Sequence, residues 1–356
     1  LRRWVYRLDY ANDTDAASPK GDLMYNLYSA SATGNSNFGY LAGGSPNNSY
    51  VQRIDYANDT AQALNRNNLL VTPPWITATG NSNFGYFNVR PTAQNRIDYS
   101  NDTATLIQLN NLPDSGYMKA GVSPVMNGFT GAYSPVDKGA EGYPVGGPVG
   151  PAFGYISGGP GETPHHSIIQ RIDFSNDSSS PAPKGNLTAA GHKQAGVSSI
   201  NYGYVCGGLA PSNSSIIARI DYANDDTTAA LKGNLTTARR SATGVGNRDY
   251  GYVGGGFSPE TSLIDRIDYS NDTATTSPKG PLASARYEMG AAGNLSYGWW
   301  AGGGPSPRES TVQRLDYSSD TTTAATKGPI TNSLDYLRGA GNASYGYIAG
   351  GYAPDK

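Results

Sequence analysis

The chain has 356 residues, of which only 15% are charged, and a formal net charge of -2. This balance argues against a disordered chain and against a nucleic-acid partner held through phosphate contacts. A single cysteine, Cys206, excludes an internal disulfide and a thiolate metal cluster, and no apolar run reaches the roughly 18 residues that span a bilayer.

From the N-terminus, the first legible phrase is Arg7-Leu8-Asp9-Tyr10, which runs into Asn12-Asp13-Thr14. It returns as the pairs Arg53 and Asp55, Arg96 and Asp98, Arg171 and Asp173, Arg219 and Asp221, Arg266 and Asp268, and Arg314 and Asp316, each followed by Tyr or Phe. A second phrase, close to Gly-Tyr-x-x-Gly-Gly, alternates with it, beginning at Gly39, Gly85, Gly154, Gly203, Gly251, Gly298 and Gly346. Seven copies of each make the chain a repeat array. The distance from Arg to the next Gly is 32 residues in six units and 58 in the third, whereas the return distance varies between 11 and 17. One interval is therefore rigid and the other elastic.

The last unit serves as a sample. Ser310 to Tyr317 alternates as a strand, Ser318-Ser319-Asp320 is turn material, Thr321 to Ala325 is a second strand, and Lys327-Gly328-Pro329 breaks it. Asp335 to Gly341 and Tyr345 to Ala349 follow as a hairpin around Gly341-Asn342. Four strands per roughly 47-residue unit predict an all-β chain, a seven-bladed β-propeller of four-stranded antiparallel blades. The chain opens on the outer two strands of a blade and closes on the inner two. Residues 1–20 and 329–356 should therefore share the last blade, the N-terminal outer strands pairing with the C-terminal inner ones, in one domain spanning 1–356.

A strand ending in Gly-Gly, a variable loop, a strand ending in an aromatic beside Asp, and a stretch such as Leu235-Thr236-Thr237-Ala238-Arg239 resemble the kelch repeat. The order Asp-Tyr inverts that repeat's Tyr-Asp and its late Trp is absent, so the resemblance is to a divergent kelch-like propeller. The Arg-Ile-Asp-Tyr-Ser-Asn-Asp-Thr wording at Arg266 to Thr273 is also similar to repeats in structural proteins of marine tailed bacteriophages.

In Arg-Ile-Asp-Tyr, Ile and Tyr share one strand face and Arg and Asp the other. Arg and Asp two residues apart are thus expected to form a structural ring of ion pairs within or between blades. Asp and Asn of the Asn-Asp-Thr turns are expected to cap those turns, since the spacing fits no EF-hand calcium loop.

The kelch-like resemblance raises a copper oxidase of the galactose oxidase kind, which would need two His and two Tyr ligands, one Tyr crosslinked to Cys. The chain has only His165, His166 and His192, and Cys206 sits where other units carry Ala, Ser or Gly. No Gly-x-Ser-x-Gly elbow or Walker loop occurs either, so no catalytic residue, metal or cofactor is expected. Function is expected on irregular loops. These are an insertion at 124–149 carrying Phe129, Tyr133 and Tyr143, the adjacent His165 and His166, and Arg90 in the second unit, which lacks its Gly-Gly. The expected role is a non-enzymatic structural or adhesion protein in a virion or outside the cell. Its expected partners are protein neighbours in an assembly or a host-surface glycan, with no nucleic acid and no membrane insertion. A lectin-like propeller is the alternative.

Overall fold

The computed structural model describes residues 3–353 except 28, 45–47, 73–75, 82, 90–92, 110, 112–119, 123–152, 160–165, 177–180, 210 and 343. Blade 1 is β3 (Ser31–Gly34), β4 (Phe38–Ala42), β5 (Tyr50–Asp55) and β6 (Leu64–Asn68). Blade 2 is β7 (Thr77–Gly80), β8 (Phe84–Asn88), β9 (Gln94–Asp98) and β10 (Ile107–Leu109), and blade 3 is β11 (Ala120–Val122), β12 (Phe153–Ser157), β13 (Ile168–Asp173) and β14 (Ala182–Asn186). Blade 4 is β15 (Ala195–Ser198), β16 (Tyr202–Cys206), β17 (Ile217–Asp221) and β18 (Ala230–Leu231). Blade 5 is β19 (Thr243–Gly246), β20 (Tyr250–Gly254), β21 (Ile264–Asp268) and β22 (Ser277–Pro278), and blade 6 is β23 (Gly290–Gly293), β24 (Tyr297–Ala301), β25 (Val312–Asp316) and β26 (Ala325–Lys327).

Blade 7 joins the two ends of the chain. Its sheet order is β2-β1-β28-β27, with β27 (Arg338–Gly341) and β28 (Tyr345–Ala349) from the C-terminus and β1 (Val5–Asp9) and β2 (Ser18–Pro19) from the N-terminus. β1 runs antiparallel along the whole of β28, from Val5 opposite Ala349 to Asp9 opposite Tyr345. The first strand of every blade touches its counterparts in both neighbours, so β3, β7, β11, β15, β19, β23 and β27 form a closed inner ring. The expected propeller of seven four-stranded blades is therefore present, with its clasp.

The outer strand of the sample blade differs from its expected position. It lies at Ala325–Lys327, not Thr321–Ala325, because Tyr317–Ser319 forms a 3-10 turn whose start is capped by Asp316. The same cap recurs: the carboxylates of Asp9, Asp55, Asp98, Asp173, Asp221 and Asp268 accept from the backbone N–H two residues on, at 2.9–3.0 Å. Gly-Gly ends most second strands because both residues take positive φ, 63° and 87° at Gly43 and Gly44 for example, which turns the chain out of the sheet.

Packing between blades repeats one pattern at all seven joints. The aromatic of each Arg-x-Asp-Tyr phrase stacks on the second aromatic of the preceding blade's second strand. These pairs are Tyr99 on Tyr40, Phe174 on Tyr86, Tyr222 on Tyr155, Tyr269 on Tyr204, Tyr317 on Tyr252, Tyr10 on Trp299 and Tyr56 on Tyr347, with centroids 4.2–5.1 Å apart. In a chain that is only 37% hydrophobic, these aromatic stacks add to the Ile, Val, Leu and Ala buried between blades.

Candidate functional site

The repeat residues come together at the joints, though with different partners from those expected. Arg53 Nη1 reaches Asp102 Oδ2 of the next blade at 2.7 Å, not Asp55. Likewise Arg7 pairs with Asp59, Arg171 with Asp225, Arg219 with Asp272, Arg266 with Asp320 and Arg314 with Asp13, at 2.8–3.0 Å. The ion-pair ring is thus built from the Asp six residues after each phrase Arg, which follows Asn except at Ser319-Asp320. The Asp two residues after each Arg is committed to capping its own turn. Asp177, the corresponding partner for Arg96, lies outside the described residues.

Each of these six carboxylates also takes a hydroxyl or indole proton from the preceding blade. The donors are the hydroxyls of Tyr40, Tyr155, Tyr204, Tyr252 and Tyr347 and Nε1 of Trp299, all at 2.8–2.9 Å. Burial pushes those five tyrosine hydroxyls well above the ordinary phenol range, and the bond to an aspartate adds to the shift, so they stay protonated donors. Each Arg in turn lies over the first aromatic of its own blade's second strand, from 4.0 Å for Arg219 on Tyr202 to 4.6 Å for Arg96 on Phe84.

A further cation, which the sequence reading missed, completes the joint. Lys20, Lys184, Lys232, Lys279 and Lys327 bind the same aspartates at 3.1–3.3 Å, and Arg66 takes that place at 3.5 Å. These residues stand thirteen after each phrase Arg, a fixed spacing in the sequence that coincides with the end of a strand. The following glycine presses on the next blade. Gly280 N–H donates to Asp320 O at 2.7 Å, and a Cβ there would fall 1.5 Å from Thr322 O.

Blade 2 departs from this scheme. Leu109 replaces the lysine, and Gln94 and Asn88, both buried, stand where other blades carry Val or Ile and a small residue. They bond each other at 2.7 Å.

With the periodic charges consumed at the joints, irregular chemistry gathers on one face of the ring, where the second-to-third and fourth-to-first strand connections lie. Around the channel mouth, residues just before the inner strands bridge to residues just after Gly-Gly. The bridges join His192 to Leu209, Arg240 to Phe257, Tyr287 to Gly304 and Asp335 to Tyr352. Beneath them Lys193, Ser241, Glu288 and Tyr336 all take positive φ of 53–56°. Their backbones form a continuous girdle: Ser241 N–H donates to Lys193 O at 3.0 Å, Glu288 to Ser241 at 3.2 Å and Tyr336 to Glu288 at 3.0 Å.

At this rim arginines lie beside aromatic rings. Arg240 lies 4.7 Å from the centroid of Phe257 and bonds Asn213 Oδ1 at 3.0 Å. Phe257 contacts Tyr287 at 4.8 Å. Arg308 lies 4.8 Å from Tyr352 and 2.8 Å from the buried carboxylate of Asp335. Burial raises the Asp335 carboxyl above the usual range, against the pull of Arg308. Among the described residues no three metal-ligating side chains converge.

Of the residues singled out from sequence, Phe129, Tyr133, Tyr143, His165 and Arg90 lie outside the described residues, as does the 124–149 insertion between β11 and β12. His166 is half-buried, and its backbone is engaged: its N–H donates to Gly159 O at 3.0 Å and its carbonyl accepts from Gly191 at 3.2 Å. Cys206 is a buried strand residue whose thiol is pushed up by that burial. Trp299 and Trp300 are both fully buried, Trp299 in the place of a joint tyrosine. Among the described residues no helix is long and apolar enough to cross a membrane.

These blades, their order and their clasp define a seven-bladed β-propeller. Among solved structures the chain is similar to that of YjhT, with a TM-score of 0.60 at 10% identity over 86% of this chain and 98% of that one. The likeness is one of fold. No protein-family profile matches the chain, and no curated protein sequence matches it.

Proposed function

We propose that this protein is a non-enzymatic contact protein, a rigid ring that presents its irregular loop face to a neighbour. The observation that carries this reading is the division of labour among its polar residues. Arginines, aspartates and lysines that recur in the sequence serve the joints, whereas Arg240, Phe257, Tyr287, Arg308 and Tyr352 follow no repeat and cluster at one channel mouth. Arginine beside partly exposed aromatics is the composition of energetically important contact surfaces. The resemblance of the repeat wording to phage structural proteins makes a virion the assembly we favour, as a tail, fibre or capsid-decorating component of kelch-like descent.

Mass spectrometry of purified particles tests the reading. The protein should be present in fixed stoichiometry, and a variant carrying Arg240→Ala with Phe257→Ala should fold but be lost from particles. Absence of the unaltered protein from particles would refute the virion assignment. A lectin-like use of the same face is the second reading, favoured by the aromatics at the mouth, because a pyranose ring stacks its C–H face on such rings.

A further inference from the structure

Among the described residues, one stacked aromatic pair outside the joints is Tyr25 with Tyr50. Their rings lie 3.5 Å apart at 10°, and both are partly exposed. Tyr25 belongs to the connection from β2 to β3 and Tyr50 opens β5, so the pair stands on the loop face of blade 1. Neither tyrosine follows the repeat. In the other six units the position of Tyr25 holds Val71, Asp114, Ala189, Thr237, Ser284 and Asn332, and that of Tyr50 holds Trp4, Ala93, Ile168, Ile216, Leu263 and Thr311. No joint requires the stack.

The stack is held from below. Tyr25 N–H donates to Gln52 Oε1 at 2.9 Å, and Gln52 is fully buried. Asn48 ties the two segments together, its Nδ2 donating to Asn26 O at 3.3 Å. Asn48 is 9% exposed, and its Oδ1 is buried with no hydrogen-bond donor.

We propose that Tyr25 and Tyr50 form a saccharide platform, on which a pyranose lays its C–H face over the outer tyrosine ring. Rigid aromatic rings suit this use because they offer contact area at small entropic cost. The inference rests on the contact-protein reading, in which blade 1 supplies the glycan contact and blades 4 to 7 a neighbour's.

A broad glycan array probed with the unaltered protein, Tyr50→Ala, Tyr50→Phe and the Arg240→Ala, Phe257→Ala variant tests it, with melting curves confirming that each folds. The unaltered protein should bind at least one saccharide, Tyr50→Ala should bind it at least tenfold more weakly, and Tyr50→Phe and the rim variant should retain it. Absence of any bound glycan, or undiminished binding by a folded Tyr50→Ala, overturns the platform. Loss of glycan binding in the rim variant with retention in Tyr50→Ala also overturns it, and leaves the contact reading in place.

Discussion

Raising the pH should dismantle this ring abruptly, because its joints are made of buried phenols. Burial pushes the hydroxyls of Tyr10, Tyr56, Tyr99, Tyr222 and Tyr269 well above their ordinary value. Above a pH of about 10 the unfolded chain releases these protons while the native ring keeps them, so the native state binds more protons and stability falls as pH rises. Below that pH the contribution is fully present. One unit above it, each such tyrosine costs about 1.4 kcal/mol, so five cost about 7 kcal/mol, within the range of a whole domain's stability. The joint tyrosines bonded to aspartate act in the same direction. Absorbance of tyrosinate near 295 nm, followed beside circular dichroism, should show these tyrosines ionising together with loss of structure between about pH 10.5 and 12. Smooth ionisation of all 26 tyrosines near pH 10 with the fold intact would refute the assignment of buried phenols to the joints.

Two substitutions test the joint in other ways. Asp272→Ala removes the acceptor shared by Arg219, Lys232 and Tyr204, at 2.8, 3.1 and 2.9 Å. Stranding partly buried charges should cost about 3 kcal/mol, which in a chain of this size lowers Tm by roughly 4 °C, readable by calorimetry. Asp268→Ala, which removes only a turn cap, should cost about 1 kcal/mol, and equal losses from the two would argue that the ion pair is not the element holding the blades together. Gly280→Ala forces a methyl against Thr322 O and should destabilise by more than Asp268→Ala in the same assay.

The blade count and the clasp were legible because they depend on backbone periodicity, which alternation and turn residues announce directly. Partner choice at the joints was not. Arg53 and Asp55 share a strand face on paper, but the joint brings a different aspartate, Asp102, within reach from 49 residues away, and no local pattern encodes that distance. Lys20 and its counterparts kept a fixed spacing and were the available signal, obscured because Lys-Gly-Pro also spells a strand end. Tyr25 and Tyr50 were invisible for a different reason: lying outside the repeat, they show their relation only once blade 7's outgoing connection passes over blade 1.

Residues 1–14 make the most direct test, since they contribute to two joints and to the clasp. Deleting Leu1 to Thr14 removes β1 from β28, Tyr10 from Trp299, Asp13 from Trp299, Arg314 and Lys327, and Arg7 from Asp59. If blades are bolted in a closed ring, calorimetry of the truncated chain should show the single sharp transition replaced by a broad one at lower temperature, with self-association through the exposed edge of β28. An unchanged melting curve would contradict the closed ring.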